Sequence, residues 1–255
     1  MYHAVVFTLR SSLLPMLISY SHKFIYVHIY RVAGTSVSEA LGSYSHIPDR
    51  QLQLRLLRKM GVHRLVRHHR LEQFDGHASA QELKEKLPPR IFKGCFKFAF
   101  VRNPWDWQVS LYHFALQNRS HRQHHLIESL GSFEKYLEWR VNEDMHLQKD
   151  FVVDPSGKLL VDFVGKYFYL AQDFRYVCHR VGCNSVLPHL NASVHGDYRQ
   201  YYTDRTIKLV AEAFHEDIEY FGYTFDRPSR KEPLFSSGEM IRLKSSGDGR
   251  LRALG

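Results

Sequence analysis

The stretch 24-FIYVHIYRVAGTSVSEAL-41 decides the fold of this chain. Its opening residues, 24–29, are rich in aromatic and β-branched side chains and predict a buried strand of the parallel type. A turn of small and hydroxyl residues, 33–36, follows, in which Thr35 or Ser36 is suited to cap a helix. The apolar residues beyond the turn recur at helical spacing on one face: Val37, Ala40, Leu41 and Tyr44. The stretch therefore predicts half of an α/β unit.

The turn between this strand and helix has the composition of an anion site. Backbone N–H groups and the helix dipole favour negative charge at a helix N-terminus, and Thr35 and Ser36 add hydroxyl donors. Gly34 allows a phosphate to approach the backbone closely. A P-loop nucleotide kinase would need a lysine inside the turn, whereas the cation here, Arg31, precedes it. The turn predicts phosphate binding and leaves the kinase as an alternative that lacks its lysine.

A second strand and helix follow in 98-FAFVRNPWDWQVSLYHF-114. Asn103 as the cap and Pro104 at the first helical position predict the helix start. Arg102 leaves the strand at its carboxyl end, where open α/β sheets bind ligands, and Ser110 lies two turns into the helix. A guanidinium suits a bidentate grip on phosphate. The alternative is an arginine that only binds neighbouring carbonyls.

Together the two stretches resemble sulfotransferases that use 3'-phosphoadenosine 5'-phosphosulfate (PAPS). The resemblance is greatest to the carbohydrate branch, which includes heparan sulfate 2-O-sulfotransferases and many bacterial members. The segment 27-VHIYRVAGTSV-37 looks like that branch's H-I-P-K-T-A-G-T-S loop, and residues 98–112 look like its F-x-F-V-R-N-P-x-x-R-x-x-S motif. The likeness covers residues 20–225 and implies a P-loop-like, three-layer α/β domain whose central parallel sheet is flanked by helices.

The resemblance also implies roles for individual residues. The 5'-phosphosulfate of PAPS would be held by the first loop, through Arg31, Ala33, Gly34, Thr35 and Ser36. The 3'-phosphate would be held by Arg102 and Ser110, and no metal is expected. The chain departs from the family pattern where Arg31 replaces a lysine, Val32 a threonine and Trp107 an arginine. Arginine keeps the charge that would stabilise the bridging oxygen, but it does not readily give up a proton.

Sulfuryl transfer to a hydroxyl also needs a base for the acceptor's proton. His77 is our candidate because it lies between the two motifs in a G-H-x-x-A stretch that family members often have, and imidazole titrates in a useful range. A histidine that only bonds locally at a helix start is the alternative. His68 and His69 are the next candidates. Arg31 is the second predicted catalytic residue.

The composition of the 255 residues agrees with a globular domain that binds anions. Hydrophobic residues make up 44% of the chain, enough for a core, and the net charge is +9. The three cysteines give no disulfide framework and predict a reducing, cytoplasmic location. Cys178 and Cys183 are predicted to be two buried thiols of one helix face rather than metal ligands. No segment is long enough to span a membrane.

The chain is predicted to divide into an extension at 1–19, the sulfotransferase domain at 20–226 and a mostly disordered tail at 227–255. Within the domain, 151-FVVDPSGKLLVDFVGKYFYL-170 predicts a hairpin that turns at 155–157. Apolar spacing from Ile207 to Phe221 predicts one last helix.

The predicted function is transfer of a sulfuryl group from PAPS to a hydroxyl, on a sugar or another acceptor. The arginine-rich residues 50–70 would meet an acidic glycan. No nucleic acid partner is expected, and a homo-oligomer is left open. The alternatives are the P-loop nucleotide kinase and a non-catalytic binder of anionic glycan or nucleic acid, which the charge also favours.

Overall fold

The computed structural model describes residues 16–45, 76–188, 196–226 and 233–240. Five strands form one sheet in chain order: β1 (Leu17–Ser19), β2 (Phe24–Val27), β3 (Phe96–Val101), β4 (Phe163–Lys166) and β5 (Leu234–Phe235). The pairs β2–β3 and β3–β4 are parallel, and both edge strands pair antiparallel. The predicted α/β class with parallel central strands is confirmed, and the sheet as a whole is mixed.

Helices flank this sheet, and the carboxyl ends of the parallel strands lie side by side at one edge. The helices are α1 (Gly34–Leu41), α2 (Ala80–Lys86), α3 (Pro89–Gly94), α4 (Pro104–Gln117), α5 (His124–Leu130), α6 (Phe133–Glu143), α7 (Leu170–Val181), α8 (Asp204–Ala213) and α9 (His215–Phe221). Every residue of β2, β3 and β4 is buried, as expected for parallel strands covered on both faces. None of the helices in the described ranges is both long and apolar enough to cross a membrane.

Several helix ends follow the local signals in the sequence. Asn103 caps α4 by accepting the Trp105 amide at 3.1 Å, and Pro104 takes the first helical position. Gly182 ends α7 in the left-handed conformation, with φ of 67°. The start of α1 differs, because neither Thr35 nor Ser36 caps it: the cap residue is Ala33, and its side chain makes no capping bond.

The sheet extends beyond the predicted domain at both ends. Leu17–Ser19, inside the predicted extension, forms β1 and pairs with β2. Residues 233–240 fall within the predicted tail, yet Leu234–Phe235 forms β5, and Glu239 is 5% exposed and accepts bonds from Arg180 and Tyr176. Both strands are too short to be recognised from the sequence. They are strands because they hydrogen-bond to β2 and β4 at the edges of the sheet. Residues 1–15, 227–232 and 241–255 lie outside the described residues.

Two predicted elements between these ends were wrong in part. The hairpin at 151–170 is limited to one bridge, Val153 to Leu159, and β4 then leaves it to join β3 in parallel. The predicted last helix is two helices, because the backbone leaves helical geometry at the fully buried Phe214 (φ −103°, ψ 24°). The apolar spacing runs through this bend, so periodicity alone could not reveal it.

Candidate functional site

The loop from β2 to α1 has an unusual backbone. Arg31 and Ala33 have φ angles of 60° and 55°, in the left-handed region that residues other than glycine rarely adopt. Such conformations persist only where the surroundings enforce them, and they are frequent in functional loops. Left-handed residues in a turn can also direct successive N–H groups to one side, where they bind anions. The backbone of this loop, together with the N-terminus of α1, is therefore suited to bind an anion.

Gly34 lies so close to the side chain of His28 that there is no room for a side chain at position 34. A Cβ atom added to Gly34 would lie 1.6 Å from Nε2 of His28, so a side chain there would displace the imidazole. The sequence predicted a glycine for close approach of a phosphate, whereas the structure shows that the approaching group within the protein is His28. Thr35 is half-buried and Ser36 is buried, both in the first turn of α1.

The side chain of Arg31 lies across α4. Its Nε donates to Oγ of Ser110 at 3.3 Å, and its guanidinium carbon is 4.3 Å from the centre of the Phe114 ring. Burial and, to a lesser extent, the neighbouring positive charge of Arg102 lower the pKa of Arg31 to about 10, although Tyr167 acts in the opposite direction. Both causes disfavour the charged form, and a bound anion would counteract them.

Arg102 lies beside Arg31 and is 5% exposed. It donates to both carboxylate oxygens of Asp106, at 2.6 and 2.8 Å, and its Nη1 is 3.4 Å from the carbonyl oxygen of Arg31. Its guanidinium carbon lies 4.3 Å from the centre of the Tyr167 ring. The sequence left open that Arg102 only binds neighbouring carbonyls. In the structure it makes one long bond to the Arg31 carbonyl, and its main partner is the carboxylate of Asp106. The two guanidinium groups and one carboxylate leave the local charge positive.

The structure brings three of the predicted site residues together. Arg31, Arg102 and the fully buried Ser110 form one group at the carboxyl ends of β2 and β3, which we call the arginine cluster. The sequence assigned Arg31 to one phosphate and the other two residues to another. In the structure the Arg31 side chain reaches Ser110, so it lies toward the residues predicted to hold the 3'-phosphate.

His77 packs against His28 and Tyr30, which belong to the segment between β2 and α1. Its Nδ1 is 3.0 Å from the carbonyl oxygen of His28, and the two imidazole rings are 4.4 Å apart. The Tyr30 ring contacts it edge-on at 5.8 Å. The His77 side chain is exposed, and Ser79 two residues later begins α2 with a capping box. The fold therefore brings His77 into contact with His28, which lies 49 residues earlier in the sequence. The other base candidates, His68 and His69, lie outside the described residues.

A sulfotransferase family model matches residues 15–224, most of the chain. The chain belongs to the sulfotransferase family. A comparison with curated proteins finds no match to this sulfotransferase. The family match agrees with the α/β sheet and with a site built from the two motifs that carried the resemblance.

Other residues of this sulfotransferase that support the site were not singled out in the sequence. Tyr167, which stacks on Arg102, follows β4 at its carboxyl end, so the rule that selected Arg102 could have selected it too. Gln148 is fully buried and exchanges two 2.8 Å hydrogen bonds with the backbone of Arg102. No local pattern points to Gln148, because its partner lies 46 residues away.

Trp107 occupies a position where the carbohydrate branch of sulfotransferases often has an arginine. The indole is fully buried, and its Nε1 donates to the Tyr30 carbonyl at 2.9 Å. Arg140, 3% exposed, donates to the Tyr30 hydroxyl at 3.0 Å and pairs with Asp144. Trp107 therefore supports the loop from behind rather than offering a charge to a ligand.

The candidate metal ligands of the described residues are separate from the arginine cluster, which consists of Arg31, Arg102 and Ser110. Among the described residues, one group of three side chains has the composition and spacing to hold a metal ion, namely His124, His125 and Glu128 on α5. Cys178 and Cys183, predicted as two buried thiols of one helix face, hydrogen-bond each other through their thiols. Cys178 is buried within α7, while Cys183 is half-buried and lies after its end.

Proposed function

We propose that this sulfotransferase transfers a sulfuryl group from PAPS to a hydroxyl group of a carbohydrate. The two motifs support a place in the carbohydrate branch that includes heparan sulfate 2-O-sulfotransferases, among its bacterial members. A cytoplasmic location is part of the same proposal. PAPS is the co-substrate that would supply the sulfuryl group. Residues of this chain would bind PAPS, stabilise the charge that develops and accept the proton of the acceptor hydroxyl.

One observation carries the proposal: the half-buried guanidinium of Arg31, the buried guanidinium of Arg102 and the buried hydroxyl of Ser110 converge where β2 and β3 end. The positive charge of Arg102 lies close enough to disfavour the charged form of Arg31, an arrangement that costs energy without an anion. Arginine binds phosphate groups with two parallel hydrogen bonds, and Ser110 can add a third donor. PAPS carries anions at both the 5' and 3' positions, which suits a cluster that adjoins the 28–34 loop and α4 together.

In this proposal different residues bind the co-substrate, stabilise the developing charge and accept the proton. The backbone of the 31–34 loop, with Thr35 and Ser36, would hold the 5'-phosphosulfate, and Arg102 with Ser110 the 3'-phosphate. Arg31 would stabilise the charge that develops as the sulfuryl group leaves, and His77 would accept the proton of the acceptor hydroxyl. Positioning and electrostatic stabilisation would supply most of the rate, as they do in phosphoryl transfer.

The direct test incubates the full chain with radiolabelled PAPS and a panel of acceptors. Sulfated product from any carbohydrate supports the proposal, and glycans that are already acidic are the preferred panel because the chain is strongly basic. The basic segment 50–70 predicted to meet the glycan lies outside the described residues. ATP turnover would instead support a nucleotide kinase. Salt-sensitive binding of glycan or nucleic acid without transfer would support a non-catalytic binder.

A 3'-phosphate should distinguish the ligand from ordinary nucleotides. We expect 3'-phosphoadenosine 5'-phosphate, the product form of the co-substrate, to raise the melting temperature more than ADP does. A ligand at a hundredfold excess over its Kd stabilises the folded state by about 2.7 kcal/mol, which is roughly 5 to 10 °C for a chain of this size. Thermal unfolding with each nucleotide checks this. Equal shifts would remove the 3'-phosphate assignment of Arg102 and Ser110.

Arg102 should contribute to affinity through its charge. Removal of Arg102 alone would leave Asp106 unpaired, so we compare Arg102→Gln/Asp106→Asn with Asp106→Asn. The double variant should bind 3'-phosphoadenosine 5'-phosphate about 10- to 100-fold more weakly, since a hydrogen bond to a charged group contributes about 1.5 to 3 kcal/mol. Asp106→Asn should bind at least as well as wild type because it removes a repulsive carboxylate. Titration calorimetry measures both, and equal affinities would make Arg102 structural.

A further inference from the structure

His28 is a buried histidine that the proposed mechanism does not use. It follows β2 directly, is 8% exposed, and stacks on Tyr26 with ring centres 5.6 Å apart. On its other side the ring occupies the space beside Gly34, where no side chain would fit. The imidazole is thus fixed between the sheet and the first residue of α1.

The same ring reaches the segment that carries His77. It hydrogen-bonds the backbone of Gly76, and it lies 4.4 Å from the His77 ring. Burial and, to a lesser extent, the nearby His77 lower the pKa of His28 to about 3, although the hydrogen bond to the Gly76 backbone acts in the opposite direction. His28 is therefore neutral at any physiological pH, and it can serve as a fixed dipole but not as a cation.

The backbone of His28 determines which nitrogen of His77 carries a proton. A carbonyl oxygen only accepts hydrogen bonds, so the 3.0 Å contact from Nδ1 of His77 to the His28 carbonyl requires a proton on Nδ1. In the neutral imidazole the lone pair then lies on Nε2. Nε2 is the nitrogen that a general base at this position would use.

We propose that His28 is a positioning residue that holds His77 in the Nδ1–H tautomer, with Nε2 as the proton acceptor. The side chain fixes Gly76 and the His77 ring against the 28–34 loop, and the carbonyl fixes the proton. The inference rests on the proposed function in taking His77 as the base, while the tautomer itself can be measured without substrate. His28 touches no reacting atom in this scheme, so its effect on rate is indirect.

The test uses the full chain labelled with ¹⁵N. Long-range ¹H–¹⁵N correlation spectra report which ring nitrogen is protonated, and His77→Ala identifies the His77 signals. In wild type we expect a protonated Nδ1 and an unprotonated Nε2 in the neutral ring. His28→Phe keeps an aromatic ring but loses the bond to Gly76, and it should give a mixture of both tautomers. His28→Gln keeps a donor for Gly76 and should restore most of the wild-type signature.

Activity provides the second readout. A wrong tautomer costs a serine protease about 10⁴-fold. Because the His28 carbonyl is retained in His28→Phe, we expect a smaller loss of turnover, about tenfold or more, with the Kd for 3'-phosphoadenosine 5'-phosphate changed by less than about twofold. The matched control is His124→Phe, which replaces another buried histidine whose Nδ1 lies 2.9 Å from a carbonyl, that of Ala115. It should leave both the His77 signature and the turnover unchanged.

Three results would overturn the inference. The first is a wild-type His77 protonated on Nε2 alone. The second is a His28→Phe variant with lower turnover but an unchanged His77 signature, which would mean a structural role only. The third is unchanged turnover in that variant. If wild type transfers no sulfuryl group, the proposed function fails, and the spectra of wild type and His28→Phe still decide whether His28 sets the tautomer of His77.

Discussion

His77→Ala is expected to lower turnover by about a hundredfold to ten-thousandfold, the range that a general base contributes. The imidazole is exposed, lies against the loop predicted to hold the phosphosulfate, and is held through Nδ1 by the His28 carbonyl. Removal of the ring takes away the proton acceptor and leaves the arginine cluster intact. The Kd for 3'-phosphoadenosine 5'-phosphate should therefore stay within about twofold of the wild-type value.

The measurement is steady-state turnover with labelled PAPS and any acceptor that works, together with calorimetry for the nucleotide. His125→Ala is the matched control, because its imidazole is 90% exposed on α5 and has no assigned role in the reaction. Near-normal turnover in His77→Ala would move the role of base to His68, His69 or a carboxylate. A large loss of nucleotide affinity would instead show that His77 belongs to the binding site.

Arg31→Ala should reduce both nucleotide affinity and turnover. The guanidinium is bound to Ser110 and stacks on Phe114, so its charge is fixed against α4 and near Arg102. Loss of one preorganised electrostatic group typically costs about a hundredfold to a thousandfold in rate. Because a stabilising charge acts more strongly on the transition state than on the bound substrate, turnover should fall further than affinity.

Arg31→Lys is the informative companion because it restores the residue of the resembling family. A lysine offers a compact charge that can lie close to a bridging oxygen, but it gives up the planar contact with Phe114. We expect it to keep activity or raise it. The control Arg205→Ala removes the same charge from an exposed site on α8 and should change little.

The outcomes of the Arg31 series separate three roles. Wild-type affinity and turnover in Arg31→Ala would make this arginine structural and would end the assignment of the loop. An inactive wild type with an active lysine variant would identify a chain specialised for binding. Reduced turnover that the lysine variant restores would support the catalytic role.

The arginine cluster shows why only part of the site could be predicted. The position of Arg102 after a buried strand indicated a ligand site, since the carboxyl ends of parallel strands meet at one edge. Ser110 was predicted to act together with Arg102, whereas its contact in the structure is with Arg31. The salt bridge from Arg102 to Asp106 is an i, i+4 pair that the sequence also contains, yet it was not foreseen. Which partner a guanidinium selects depends on burial, and burial is set by the assembled layers.

By itself the sequence determined the strand–turn–helix units at 24–41 and 96–117, their shared edge and the cap at Asn103. These features depend on residues within a few positions of one another, so local backbone preferences and side-chain spacing are sufficient.

Only the tertiary structure decided the parallel pairing of β4, the short edge strands β1 and β5, and the bend at Phe214. It also decided the contacts of Arg31 with Ser110 and of His77 with His28, which join residues 79 and 49 positions apart. Such contacts follow from how the layers pack and from which rotamers that packing allows, and neither is encoded in the spacing of a single segment.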